Sequence, residues 1–505
     1  MKNKKFNNLF ILDLANNHQG DIQHAKVIIS KFSETIKKFS LNATIKFQFR
    51  QLETFIHPEF EKYKFNKHLS RFQDTRLGID QYKVLLEFIK KNGLLSCCTP
   101  FDEKSVEYIS EMSFDFIKLA SCSAKDWPLI EKIANANMPI IFSTGGLELS
   151  DIDDLVSFFE HKGSDFALMH CVSIYPTPKE MFNLNFIETL EKRYPDRVIG
   201  WSTHEAPDDY NVIKIAYAKG ARMFERHIGL ETEKYKLNAY SCNPDQFLNW
   251  IESYKYVIDA CGSFQKPKIS DDEKLGIESL IRGVYAKKNI LKGEELSREN
   301  TFFAMPYNSL QIKSGDFQKN IFTKETVKKN EPIFEGNVIF PSISDTKIIK
   351  DSIHEVKAML RESRIELNSE FEVEYSHHYG IENFRKTGAI IINCINRTYC
   401  KKLIILLPGQ KHPSHFHPRK EETFQVLSGL LDVYIDGHHK KLSPGQTCLV
   451  QPGVWHSFQS ELGCIFEEVS TTHYDNDSTY KDKKINAMRR EDRKTIVDNW
   501  GRFQI

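Results

Sequence analysis

The chain is 505 residues long and carries 69 Lys and Arg against 68 Asp and Glu, a formal net charge of +1. Such a length predicts about three domains, and the even charge gives no electrostatic footprint for a nucleic-acid partner. No apolar run is long enough to span a bilayer, the start shows no signal-peptide core, and the ten cysteines include no Cys-x-x-Cys pair; a reduced cytoplasmic protein with no membrane partner is expected.

Eight apolar runs come first, at Leu9–Leu14, Ala43–Phe49, Leu94–Thr99, Phe116–Ala120, Pro139–Ser143, Phe166–Cys171, Val198–Ser202 and Met223–Ile228. Helical patterns separate most of them, for example Ile22–Phe39, Gln81–Asn92, Ile152–His161 and 209–219. Eightfold β/α alternation over residues 1–270 predicts an α/β TIM barrel, (β/α)8. The longest connection, Arg50 to Ile79, is charged and aromatic and is placed to fold over the barrel mouth. The strand ends deliver Asp13, Lys46 with Gln48, Thr99, Lys118 with Ser121, Ser143, Ser173 with Tyr175, Ser202 with His204, and Glu225 with His227. That edge of a parallel α/β fold is where chemistry is placed. Hydroxyls, lysines and backbone N–H groups converging there suit a phosphate and a carboxylate. His204 and His227 end two strands joined by one helix, so the strands should be neighbours and the two imidazoles could share a divalent metal.

The motifs Asn-His-Gln-Gly at 17–20, Ile-Lys-Phe-Gln at 45–48, Thr-Pro-Phe at 99–101, Ser-Thr-Gly at 143–145, His-Cys-Val-Ser-Ile-Tyr-Pro-Thr-Pro at 170–178, Ser-Thr-His at 202–204 and Glu-Arg-His-Ile at 225–228 cover the whole barrel. Together they resemble the sialic acid synthase family. The resemblance implies an N-acetylneuraminate synthase-like transferase that condenses phosphoenolpyruvate with an amino-sugar aldehyde, releasing phosphate by C–O cleavage. It implies a divalent metal, usually manganese, on His204 and His227. Phosphoenolpyruvate contacts are implied at Lys46, Thr99, Lys118, Ser121, Ser143, Ser173 and Ser202, and sugar-side roles at Gln48 and Tyr175. Three positions depart from the family pattern: Asp13 where a Glu is usual, Ser123 where a Glu is usual, and Tyr235-Lys236-Leu237-Asn238 where a Gly-Pro-Asp-His run is usual.

Residues 275–345 hold a pattern of strand, charged turn with Gly293, Leu296 and Asn300 that recurs at 327–333 and Asn337. This resembles the antifreeze-like (SAF) domain of the same family. The resemblance implies a homodimer in which this module lies over the partner's barrel mouth and presents an arginine to the sugar. Met305 stands at the matching position, so that contact is not expected.

Residues 346–505 open with a linker and helix, then short β runs at Ala389–Ile395, Lys402–Leu407, Glu422–Leu427, Leu431–Ile435, Thr447–Val450 and Cys464–Val469. Their spacing predicts an antiparallel barrel or jelly roll. His415 and His417 are two apart on a strand and share a face. Glu422 and His456 complete a three-histidine, one-carboxylate set suited to a second divalent metal, Zn, Mn, Fe or Ni. These residues resemble the two cupin motifs, and the segments 417–422 and 467–471 resemble sugar-isomerase cupins, which implies an aldose–ketose isomerase. Two alternatives stand beside the main expectation. One is a synthase of another deoxy-sugar acid with a different acceptor; the other is a non-catalytic sugar-binding regulator.

Overall fold

The computed structural model describes residues 4–60, 67–264, 266–342, 344–367 and 371–501. It falls into two compact units, Met1–Lys268 and Ile269–Ile505.

In the first unit eight parallel strands close into a barrel: β1 (Leu9–Asp13), β2 (Asn42–Phe49), β3 (Leu95–Pro100), β4 (Phe116–Leu119), β5 (Ile140–Ser143), β6 (Phe166–Cys171), β7 (Ile199–Thr203) and β8 (Met223–His227). Most of the helices between them bury an apolar stripe against the outside of the barrel, as Ala25, Ile28, Ile29 and Phe32 do on the helix Ile22–Lys38. Asp21 starts that helix by accepting hydrogen bonds from the Gln23 and His24 amides. Inside the barrel Ile11, Cys97, Phe116, Ile141, Met169 and Met223 pack as one core. Side chains on a strand alternate faces. The residues two positions further on, Asp13, Thr99, Lys118, Ser143, Cys171 and Glu225, therefore also point inward, one layer higher at the C-terminal mouth. An apolar plug thus carries a polar floor.

Of the long connection after β2, the helices Leu52–Phe55 and Lys67–Asp74 are described, while 61–66 lie outside the described residues. Its start and its later helix are joined at Arg50, whose guanidinium stacks 3.9 Å from the Phe72 ring and 3.6 Å from the Phe101 ring.

The second unit begins with a small β-rich module. Here β9 (Gly283–Ala286) pairs antiparallel with β10 (Thr301–Ala304), and β11 (Phe322–Thr323) with β12 (Val338–Ile339). Val284, Ile290, Leu296, Ile312, Ile321 and Ile333 form its core. A helix, Asp345–Glu362, then packs Ile349, Ile353, Val356 and Leu360 onto a two-sheet sandwich. The sandwich strands are β13 (Glu372–Ser376), β14 (Ala389–Asn396), β15 (Tyr399–Leu406), β16 (Lys411–Phe416), β17 (Glu422–Gly429), β18 (Leu431–Ile435), β19 (His438–Leu442), β20 (Thr447–Val450), β21 (His456–Gln459), β22 (Cys464–Thr471), β23 (Thr479–Tyr480) and β24 (Lys494–Asp498). One sheet has the order β20-β17-β22-β15-β14-β13-β24, the other β19-β18-β21-β16-β23. The strands number twice the six expected from apolar runs. The additional ones are polar or short. No helix among the described residues is long and apolar enough to cross a membrane.

Candidate active site

At the barrel mouth the register places Asp13 beside both Lys46 and His227. The Lys46 ammonium lies 2.8 Å from Glu225 Oε1 and 2.9 Å from Asp13 Oδ2, and 3.5 Å from the Thr99 hydroxyl. Lys118 ion-pairs with the other Glu225 oxygen. All five side chains are buried. Burial works against the charge on Lys46, and the Asp13 and Glu225 carboxylates outweigh it, holding the ammonium above its ordinary range. Burial likewise opposes the Glu225 charge, and Lys118 and Lys46 outweigh it, so the carboxyl stays well below the usual range. Glu225 is thus the bridge between the two lysines. Gln48 donates to Asp13 Oδ2 at 3.3 Å and accepts from Arg50 at 3.1 Å.

The hydroxyls gather beside this floor. The Gly145 amide donates to Ser121 Oγ at 3.1 Å. A Cβ on Gly145 would collide with Ser173 Oγ and lie 2.9 Å from Ser121 Oγ. Cys171 stands opposite Ser202 in the β6–β7 register, and its Sγ would lie 3.3 Å from the same Cβ. Ser143 keeps a buried hydroxyl with no hydrogen-bond partner, an atom in want of a ligand. The Gly145 backbone does not lie in the left-handed region, so only space is at stake there. Gly145→Ala should leave the fold intact and overfill the cradle at a cost of about 1–3 kcal/mol. On the phosphoenolpyruvate site expected from the sequence, steady-state kinetics should show this as a rise in KM for that substrate; an unchanged KM would remove the cradle from the pocket.

His204 and His227 face each other with ring centroids 5.3 Å apart. His204 Nδ1 lies 3.0 Å from the Val172 carbonyl. A carbonyl only accepts, so Nδ1 carries the hydrogen and Nε2 presents a lone pair. Burial first, and His227 second, push the His204 imidazole down to about 3. Burial also lowers His227, whose Nδ1 is buried without a hydrogen-bond partner and sits 3.4 Å from Asp13 Oδ2. Two neutral imidazoles with free lone pairs fit a divalent ion. Among the described residues no third histidine, cysteine or carboxylate completes a compact set with them, which leaves positions for substrate oxygens. Tyr175 covers His204 at a ring distance of 4.0 Å, and Tyr240 stands 5.1 Å from His227.

In the cupin sandwich His415, His417 and His456 bring ligand atoms within 4.8 Å of one another. Each Nδ1 donates to a backbone carbonyl: Pro413 at 3.0 Å, Asp477 at 2.9 Å and Val454 at 3.1 Å. All three Nε2 lone pairs are therefore free for one ion. Glu422 Oε2 lies 3.1 Å from His456 Nε2 but makes no aligned hydrogen bond with it, and both atoms are buried without a partner. Two acceptors this close call for a cation, and the set fits a metal. Glu422 Oε1 is held by Lys420 at 2.6 Å and lies 3.3 Å from His417 Nε2.

The expected barrel residues thus fall into three groups at one mouth: Lys46, Lys118, Thr99 and Gln48 around the two carboxylates; Ser121, Ser173 and Ser202 near Gly145 and Cys171; and His204, His227 and Tyr175. Ser143 ends β5 at the same edge, its hydroxyl without a hydrogen-bond partner. Sequence reasoning missed the bridging role of Glu225, the aromatic Tyr240 and the buried Lys420.

Comparison with known proteins gives two family matches, the NeuB family over residues 37–266 and the cupin domain over residues 402–462. The chain is 38% identical to a protein of Chromobacterium violaceum described as spore coat polysaccharide biosynthesis protein E, whose crystal structure aligns with a TM-score of 0.63 over 66% of this chain and 99% of that one. It is 29% identical over 296 residues to N-acetylneuraminate-9-phosphate synthase of Mus musculus, covering 57% of this chain and 80% of the relative. It is 27% identical over 340 residues to N,N'-diacetyllegionaminic acid synthase of Campylobacter jejuni, covering 65% and 99%.

Proposed function

The chain belongs to the NeuB family, and on that premise we propose that its barrel condenses phosphoenolpyruvate with an amino-sugar aldehyde to give a nonulosonic acid. One observation carries the reading: a pair of buried ammoniums bridged by Glu225 shares a single mouth with a hydroxyl cradle and a neutral histidine pair. Lys46 and Lys118 would balance the phosphate and carboxylate charges of phosphoenolpyruvate, with Thr99, Ser121, Ser143, Ser173 and Ser202 hydrogen-bonding its oxygens. C3 of phosphoenolpyruvate would attack the aldehyde carbon; water would add at C2, and phosphate would leave with its bridging oxygen. A divalent ion on His204 and His227, manganese by the family resemblance, would supply Lewis-acid polarisation of the aldehyde oxygen. Tyr175 and Gln48 would line the sugar side, fixing the acceptor against the mouth.

The domain division 1–270, 275–345 and 346–505, with an antifreeze-like middle module and assembly as a homodimer, is part of the same proposal. Within it the cupin is a second metal centre that binds a sugar and isomerises it. A different acceptor sugar is favoured by one observation: Ser123, where the family commonly has a glutamate, is buried in the short turn Ser121–Ser123 beside the cradle.

Phosphate release from phosphoenolpyruvate and Mn with a panel of hexosamine-type aldehydes, read with product mass, tests both readings. The expected result is release with at least one aldehyde and a loss of about a thousandfold or more in the variant carrying His204→Ala and His227→Ala. A folded double variant that turns over at the wild-type rate sinks the assignment.

A further inference from the structure

The cupin cavity carries more charge than a metal centre needs. Lys402, Lys420 and Lys494 all line it, together with His415, Glu422 and Glu468. Lys420 lies between Glu422 at 2.6 Å and Glu468 at 2.5 Å, and Lys494 is held by Glu374 at 2.7 Å. Both lysines are spent on these carboxylates. Lys402 is not. It is buried on β15 opposite Glu468 in the strand register, yet among the described residues no carboxylate lies within ion-pair reach of it. Arg493 approaches the cavity through Tyr480, its guanidinium 5.1 Å from that ring, and its Nε and Nη1 are buried without hydrogen-bond partners. Three lysines therefore line the cavity against two lining carboxylates, Glu422 and Glu468, while Glu374 outside that lining is shared by Lys494 and Arg490, before any divalent ion adds to the positive side. His473 on the same wall is pushed down to about 3, by burial first and then by Lys402, Lys420 and Lys494.

A buried unpaired ammonium is costly unless a partner arrives. A neutral sugar would leave Lys402 unpaired, whereas an oxyanion would pair it. We infer that the cupin cavity takes an anionic sugar, one bearing a carboxylate or a phosphate, with the oxyanion on Lys402 and the sugar oxygens toward His415, His417 and His456. The inference rests on the reading of the cupin as a sugar-binding metal centre and adds the substrate class.

The test is calorimetry on the Mn-loaded full chain with D-glucuronate, D-glucose 6-phosphate and D-glucose, using wild type, Lys402→Gln, Lys402→Met and Lys402→Arg. Wild type should bind one of the two anions at least about tenfold more tightly than glucose, as a charge-assisted hydrogen bond requires. The anion preferred tells carboxylate from phosphate. Lys402→Gln and Lys402→Met should lose the preference and Lys402→Arg should retain it; should the apolar Met prevent folding, the polar, uncharged Gln variant gives the same reading. The barrel pocket is untouched by these changes, so any difference between variants arises in the cupin. Wild type without an anion preference, or folded Gln and Met variants that keep it, overturns the inference. Metal analysis on the chain carrying His204→Ala and His227→Ala separates the two readings: a cupin that holds no ion while Lys402→Gln still abolishes the preference refutes the metal centre and supports the oxyanion site.

Discussion

Glu225→Gln should destabilise the barrel by about 3–5 kcal/mol, the range for removing one partner from a buried ion pair, and on the proposed reading should slow the condensation about a hundredfold without weakening phosphoenolpyruvate binding. One carboxylate holds two ammoniums, Lys46 through Oε1 and Lys118 through Oε2. The amide keeps one acceptor and turns an NH2 group toward the other lysine, so one ammonium must lose its anchor. Lys46 retains Asp13 at 2.9 Å; among the described residues Lys118 has no second carboxylate within ion-pair reach. Lys118 is therefore the side chain that shifts. On the proposed reading both lysines also meet phosphoenolpyruvate, and Glu225 competes with the substrate for them. Its removal should leave KM for phosphoenolpyruvate unchanged or lower, while a displacement of about 1 Å costs kcat roughly a hundredfold. Lys118→Met should do the opposite to KM and raise it. Chemical denaturation and steady-state kinetics on both variants check this split. A Gln variant within about 0.5 kcal/mol of wild type, with unaltered kcat, would show that the bridge organises nothing.

The sequence made the barrel legible because its strands are buried on both faces and read as apolar runs, each stopping at a polar residue on the same edge. Lys46, Lys118, His204 and His227 were visible for that reason. The Glu225 bridge was not, because it depends on ring closure: β8 pairs with β1, and Lys118 reaches across from β4, 107 residues away in the chain. Tyr240 lies beyond β8 outside any strand or helix, where no periodicity marks it. In the cupin some of the missing strands are short, and others turn polar side chains inward. On β16 His412 and His415 are the buried side chains, and β19 reads His-His-Lys-Lys-Leu, with only Leu442 buried. A functional cavity thus erases the alternation that identifies a strand. Lys420 read as one charge in a charged run; its burial follows from the β17–β22 pairing, which brings Glu422 and Glu468 to the same cavity.

Metal removal should act on the cupin independently of the barrel. A chain carrying His204→Ala and His227→Ala, dialysed against a chelator and reloaded with Mn or Zn, should retain about one ion per chain. Adding His415→Ala and His456→Ala should take the content to none. The argument is one of unsatisfied atoms. Three Nε2 lone pairs converge because three backbone carbonyls hold the Nδ1 hydrogens, and Glu422 Oε2 joins them 3.1 Å from His456. Each buried acceptor left without a partner costs about 1–3 kcal/mol, so an ion that meets several of them at once is strongly favoured. At a free metal concentration about a thousand times Kd, binding adds about 4 kcal/mol to the folded state. Thermal melting of the barrel-silenced chain should therefore move upward on reloading and return on chelation. The chain that also lacks His415 and His456 should melt at one temperature in both conditions. Mass-spectrometric metal analysis provides the count, and a barrel-silenced chain that holds well under one ion after reloading would show that the four converging groups do not form a metal centre.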